Sequence, residues 1–245
     1  MTGPVAVVTG ASSGIGAATV ANLAARGYRV AAVARRRDRL DALAAEHDGV
    51  LALAADITSR EQVADAVGAC VERFGRIDAL VNNAGLMLLG TFADHPVDYW
   101  TRMVDLNVVA LMSMTHEVLP HLRKAAAGER EVADIVNIGS VAGRTTRAQF
   151  AAYNSTKWAV SAFTDALRQE VAEHGVRVSV IQPGSVETEL LDHVDPGVRE
   201  GLAKGMPGLR RAVPADVAET VAFVLSQPPG FALNEIVVRA ARQPF

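Results

Sequence analysis

Tyr153 and Lys157 stand four residues apart in the segment YNSTK, and Ser140 lies upstream at the end of the apolar run IVNIGS. On a helix, positions i and i+4 are stacked neighbours on one face, so an ammonium sits beside a phenol and favours its charged form. A free tyrosine, with a pKa near ~10, is otherwise a poor proton-transfer group at neutral pH. Such a pair is suited to moving a proton, provided that something beside it supplies the rest of a reaction.

A second cluster opens the chain. A strand-like run enters TGASSGIG, Thr9 to Gly16, with Gly10, Gly14 and Gly16 where the chain must turn and begin a helix, and Ser12, Ser13 and Ile15 between them. These glycines allow positive φ, let backbone N–H groups approach a pyrophosphate, and bring a helix N-terminus against that anion. The spacing is GxxxGxG rather than GxGxxG, and the strand–turn–helix context gives the turn its weight.

The end of the second strand selects the dinucleotide. An NAD site offers a carboxylate to the adenosine ribose there, whereas this chain reads AAVARRRDRL. Guanidinium groups make charge-assisted, often bidentate bonds to phosphate. Arg35, helped by Arg36, is therefore expected to hold the 2′-phosphate of NADP(H), with Arg37 facing solvent at a helix start. Asp56, followed by Ile57 in AADIT, can accept from the adenine amine, or can serve only the loop before a Thr58 cap. Asn83, Ala84 and Gly85 form a small turn suited to close contact with a ribose.

The elements that must position these groups follow an alternating rhythm. Short β-branched runs at 5–9, 30–34, 50–54, 79–82, 134–138, 176–181 and 235–238 are separated by amphipathic segments, the pattern of βαβ units and a mainly parallel sheet. Helices are expected over 14–26, 59–74, 97–122, 152–174 and 214–226. The second of these opens on overlapping capping boxes, Thr58 to Glu61 and Ser59 to Gln62. The fold class is α/β: a Rossmann-type, doubly wound, parallel seven-stranded sheet with helices on both faces, in a single domain over 1–245. Residues 183–213, rich in Gly, Pro and charge, are longer than an ordinary connection and follow the sixth strand, where open α/β sheets bind ligands. They are read as a substrate loop or lid.

Composition bounds the alternatives. With 245 residues, 50% of them hydrophobic, the chain can bury a full core, and a net charge of −3 leaves no electrostatic footprint for nucleic acid. Cys70 is the one cysteine, which removes intramolecular disulfides and multi-cysteine metal sites and fits a reducing compartment. No apolar stretch reaches ~18 residues, so no membrane association and a cytoplasmic location are expected. His116 and His121 lack metal-ligand companions, and no metal is expected.

Taken together, TGASSGIG, NNAG, the asparagine of DLNVV, NIGS, YNSTK and PGSVET stand in the order and spacing of one family across essentially the whole chain, which resembles the short-chain dehydrogenase/reductases of the single-domain branch. The resemblance implies a catalytic tetrad of Asn107, Ser140, Tyr153 and Lys157. In it Tyr153 donates the proton and Ser140 binds the same carbonyl oxygen. Lys157 holds the nicotinamide ribose and favours the tyrosinate, and the Asn107 backbone carbonyl links the lysine through water to solvent. It also implies that Pro183, Gly184, Val186 and Thr188 contact the nicotinamide amide and diphosphate. Within the family the chain is similar to clavulanic aldehyde reductases and to serine or 3-hydroxy acid dehydrogenases. The expected substrate is therefore a small carbonyl or alcohol compound, bound by Met87, Ser140, Val141, Arg144, Gln149 and Leu190, with Leu86, Leu88 and Val186 completing an apolar wall. Arg144, Arg199 or Arg210 could pair with a substrate carboxylate, although solvated surface arginine is the simpler reading of each. The family's dimer face implies a homotetramer or dimer, with residues 239–245 reaching a neighbouring subunit. Two other classes remain: a non-catalytic NADP sensor on the same scaffold, which the intact tetrad argues against, and an NAD-retaining epimerase or dehydratase, for whose larger substrate domain the chain has no room.

Overall fold

A computed structural model describes residues 3–204 and 208–243, and of 202–204 the backbone only. Seven strands, β1 (Val5–Thr9), β2 (Arg29–Ala34), β3 (Val50–Ala54), β4 (Ala79–Asn82), β5 (Ala133–Ile138), β6 (Val176–Pro183) and β7 (Glu235–Val238), form one sheet in the order β3-β2-β1-β4-β5-β6-β7. Every pairing is parallel. Parallel strands need covered faces, and β1, β4, β5 and β6 are accordingly buried along their length.

Helices α1 (Gly14–Ala25), α2 (Arg37–Glu46), α3 (Arg60–Phe74), α4 (Val97–Val104), α5 (Leu111–Ala126), α6 (Ala151–Val171), α7 (Pro196–Lys204) and α8 (Pro214–Leu225) complete the order. One face of the sheet is closed by Val63, Val67 and Cys70 of α3, Met114, Val118 and Leu122 of α5, and Leu167 and Val171 of α6. The other is closed by Val20 and Leu23 of α1 and Val217, Val221 and Leu225 of α8. The direction in which successive strands are added reverses between β1 and β4, so the connections after these two strands go to opposite faces and leave a crevice at their carboxyl ends.

Several local expectations are corrected. Helix α2 is absent from the helices read off the sequence because it buries a single residue, Leu40, and so has almost no apolar stripe. Ser59 caps α3 by accepting from the Gln62 amide at 3.4 Å, but the Gln62 side chain accepts from Asp56 N at 2.8 Å, so the reciprocal half of the capping box does not form. The helix expected over 97–122 is interrupted by a π-helical turn, Asp105–Ala110, between α4 and α5. After α6 the chain tightens into a 3₁₀ turn, Ala172–His174, and stops at Gly175, whose φ is 70°.

The segment after β6 carries structure of its own: a 3₁₀ turn at Glu189–His193, then α7. Its base is tied by an isolated parallel bridge, Val186 to Ala212. Near the C-terminus the chain also contacts the base of this segment. Gln243 Oε1 accepts from Ser185 N at 2.8 Å, while residues 244–245 of the stretch expected to meet a neighbour lie outside the described residues.

Candidate active site

Both sequence clusters open into one cleft of 1290 Å³ at the carboxyl ends of the strands. Its first wall is the turn after β1. Gly10 and Gly14 have φ of 65° and 53°, a region side chains disfavour. The turn is stapled to the loop after β4. Thr9 Oγ1 accepts from the amides of Asn83 and Ala84 at 3.0 and 3.1 Å, and Asn83 Nδ2 donates to Thr9 O at 2.9 Å. All the residues expected at a dinucleotide line the cleft except Gly16. That glycine acts behind it: a Cβ there would stand 2.2 Å from Gly10 O.

At the cleft end beside β2, Arg36 is the more firmly held of the two arginines expected there. Its Nε donates to Ser12 Oγ at 3.0 Å and its Nη2 to Ser13 Oγ at 2.6 Å, so it is fixed across the mouth of the glycine turn. Arg35 lines the same end but is exposed. Arg37 pairs with Asp41 on the solvent side, as its place at the helix start implies. Asp56 does serve its loop, with Oδ1 accepting from Thr58 N and Oγ1 at 3.0 and 2.8 Å. Those bonds hold its carboxyl below the usual range, while the residue still lines the cleft.

At the other end, Ser140 leaves β5 in extended conformation and caps the 3₁₀ turn Val141–Gly143, its Oγ accepting from Ala142 N at 3.1 Å. The same hydroxyl is hydrogen-bonded to the Tyr153 phenol. Tyr153 and Lys157, one turn apart on α6, are both buried. Burial pushes the phenol up to about 12, against the pull of the Ser140 bond, and pushes the Lys157 amine down to about 8. Desolvation is the larger of the two effects on the phenol, which is protonated at neutral pH.

Asn107 sits inside the π-helical turn, and its side chain is committed. Oδ1 accepts from Leu86 N at 2.7 Å, and Nδ2 donates to Leu86 O at 2.9 Å and to Thr156 Oγ1 at 3.1 Å. These bonds tie the loop after β4 to α6. The role expected of Asn107 uses its carbonyl instead, and π turns disturb the helical carbonyl ladder at functional sites.

The residues expected at a substrate divide. Met87, Ser140, Val141 and Leu190 line the cleft, with Leu86 and Val186. Arg144 and Gln149 do not: Arg144 is held by Glu235 at 2.6 Å, and Gln149, strained at φ 70°, receives Gly90 N on its backbone carbonyl. Leu88 is buried behind the wall, and Arg199 and Arg211 of the segment after β6, but not Arg210, line the cleft.

Sequence reasoning missed four contributors. Asn154 Nδ2 donates to Ala142 O and Thr145 O at 2.6 and 2.8 Å, clamping the Ser140 loop. Gly143 lets that loop cross α6, since a Cβ would meet Lys157 O at 2.7 Å. Arg39 and Glu189 join Arg36 at the cleft end beside β2, with Arg39 Nη1 2.6 Å from Glu189 Oε1. The i, i+3 spacing of Arg36 and Arg39 was the available signal. No group of His, Cys, Asp and Glu suited to a metal occurs among the described residues, and none of their helices is long and apolar enough to cross a membrane.

The comparisons with known proteins agree with this geometry. A family model described as short chain dehydrogenase matches residues 4–198. An uncharacterized oxidoreductase of Staphylococcus saprophyticus is 37% identical over 240 residues, covering 96% of both chains. Among solved structures, a 3-ketoacyl-(acyl-carrier-protein) reductase from Brucella melitensis complexed with NADH superposes with a TM-score of 0.89 at 33% identity, covering 98% of each chain. A closed form of serine dehydrogenase complexed with NADP⁺ gives 0.90 at 31%, covering 98% of this chain and 96% of that one. The chain belongs to the short-chain dehydrogenase family. It is an oxidoreductase of that type, built on a fold that binds a nicotinamide cofactor.

Proposed function

We propose that this protein is an NADP(H)-dependent carbonyl reductase. The reading is carried by one juxtaposition: the Ser140–Tyr153–Lys157 group stands at one end of the cleft and the Arg36–Ser12–Ser13 cradle at the other. A nicotinamide dinucleotide suits this donor set, because the glycine turn leaves room for its pyrophosphate and the arginine cradle complements a 2′-phosphate. When bound, its nicotinamide supplies the hydride for reduction.

The chain's own residues do the rest. Ser140 orients the carbonyl by donating to its oxygen, and the protonated Tyr153 phenol delivers a proton to the charge developing there. Lys157 holds the nicotinamide ribose, and the carbonyl of Asn107 connects it through water to bulk solvent. Met87, Val141, Val186 and Leu190 exclude water from the reacting carbon, which favours a partly apolar aldehyde or ketone. The decisive experiment compares kcat/KM for NADPH and NADH over a panel of carbonyl compounds. A preference for NADPH is expected, and a preference for NADH would reject the cofactor assignment.

A second reading, oxidation of a 3-hydroxy acid or serine-like alcohol, draws support from Arg211 in the cleft and from the serine dehydrogenase likeness. Faster turnover of acidic alcohols with NADP⁺ than of neutral carbonyls with NADPH would favour it. We further propose a homo-oligomer, tetramer or dimer, in the cytoplasm. Val104, Val109, Met112 and Trp158 leave an apolar patch on the α4, α5 and α6 side, with exposures of 43, 44, 37 and 48%. Light scattering that returned a monomer would reject this.

A further inference from the structure

The carboxylate of Glu189, the first residue of the 3₁₀ turn in the lid, is seated between two guanidinium groups. Oε2 accepts from Arg36 Nη1 at 2.8 Å and Oε1 from Arg39 Nη1 at 2.6 Å. Arg36 is fixed from its other edge by Ser12 and Ser13, so the carboxylate completes its coordination beside the glycine turn. An anion that places one oxygen on each of two arginines at this point has the hydrogen-bonding pattern of a phosphate. A phosphate carries more charge and a third acceptor oxygen, and two anions at this spacing repel each other.

We propose that Glu189 occupies the seat of the cofactor's 2′-phosphate and is displaced by it, which makes Glu189 a determinant of how strongly the site prefers NADP(H) over NAD(H). The proposal rests on the NADP(H) reading above. The side chains of the Arg36–Glu189 pair are 40% and 44% exposed, so the pair is weak enough for a stronger anion to open. Opening it also reaches the substrate end. Leu190 and Leu191, with Val194 and Val198, pack against the apolar cluster of Met87, Met103 and Tyr153. A cofactor without the phosphate leaves the pair closed; one with it loosens the first turn of the lid.

Calorimetric titration of the whole protein and of Glu189→Gln with 2′,5′-ADP and 5′-AMP separates the possibilities. The variant is expected to bind 2′,5′-ADP about three- to tenfold more tightly, the scale of releasing two exposed ion pairs, and 5′-AMP unchanged. Hydrogen exchange supplies the second readout: backbone amides of 189–194 should lose protection when the wild-type protein is saturated with 2′,5′-ADP and not with 5′-AMP. Equal or weaker 2′,5′-ADP binding by the variant overturns the competition, and unchanged protection overturns the displacement. If wild-type protein binds 2′,5′-ADP no better than 5′-AMP and the variant does likewise, the NADP(H) reading itself fails, and this proposal with it.

Discussion

The Lys157 ammonium stands 5.9 Å from the centre of the Tyr153 ring, yet its hydrogen bond goes to the carbonyl of Ile138, 2.9 Å away. The lysine is thus anchored to the end of β5 rather than to the phenol, and the phenol is left to Ser140. Burial keeps the tyrosine protonated, which is the form a proton donor needs at the start of a carbonyl reduction.

Replacing Tyr153 with Phe removes the donor and little else. Turnover is expected to fall by about 10²–10⁴-fold, with NADPH binding, followed by cofactor fluorescence, retained. Retained turnover would remove Tyr153 from the proton-donor role.

Lys157 should cost the fold stability at neutral pH. Its amine is pushed down to about 8 in the folded protein from 10.5, so the unfolded chain binds this proton more readily. The penalty is present in full below pH 8, at about 3 kcal/mol before allowing for the Ile138 bond, and is relieved as pH rises from about 8 to 10.5. Lys157→Met is expected to raise the thermal midpoint at pH 7 by a few degrees while abolishing activity. The gain should shrink towards pH 10. Unfolding scans at both pH values check the sign.

Two glycines should respond oppositely to alanine. A Cβ on Gly16 would meet Gly10 O at 2.2 Å and Asn83 Nδ2 at 2.5 Å, whereas nothing lies within 4 Å of one on Gly68 in α3. Gly16→Ala is expected to cost about 1–3 kcal/mol and to weaken dinucleotide binding. Gly68→Ala should stabilise by about 0.5–1 kcal/mol. Denaturant titrations of the two variants provide the comparison.

Arg177 on β6 is almost wholly buried and grips both oxygens of Asp134 at 2.7 and 3.0 Å, while its Nη1 serves the carbonyls of Gln227, Pro228 and Phe231. Truncation to Ala would strand a buried carboxylate and three acceptors, at an expected cost of about 3–5 kcal/mol. Chemical unfolding should show it, and a loss below 1 kcal/mol would mean that water or a neighbour replaces the guanidinium.

Strand positions were legible because a sheet covered on both faces demands short, β-branched apolar runs such as VAVVT. The tetrad and glycine turn were legible because their chemistry depends on residue type at short spacing. What escaped depended on long-range geometry. No local pattern shows that Glu189 crosses to Arg36 and Arg39, or that Glu235 takes Arg144 away from the cleft. Helix α2 escaped for a different reason: with Leu40 alone buried, its stability comes from its place beside β3 rather than from a stripe.

The π-helical turn at Asp105–Ala110 has a meaning for how this chain tolerates change in length. Inserting one residue into a helix rotates everything after it by about 100°, so α4 and α5 present their apolar stripes in different directions. Met103 faces the substrate-side cluster, and Met114, Val118 and Leu122 face the sheet. Deleting a single residue from DLNVVA would give a more regular helix and a worse protein, because one of the two stripes would be swung out of phase with its partner. At this point the brittleness of the chain lies in its residue count rather than in its residue types.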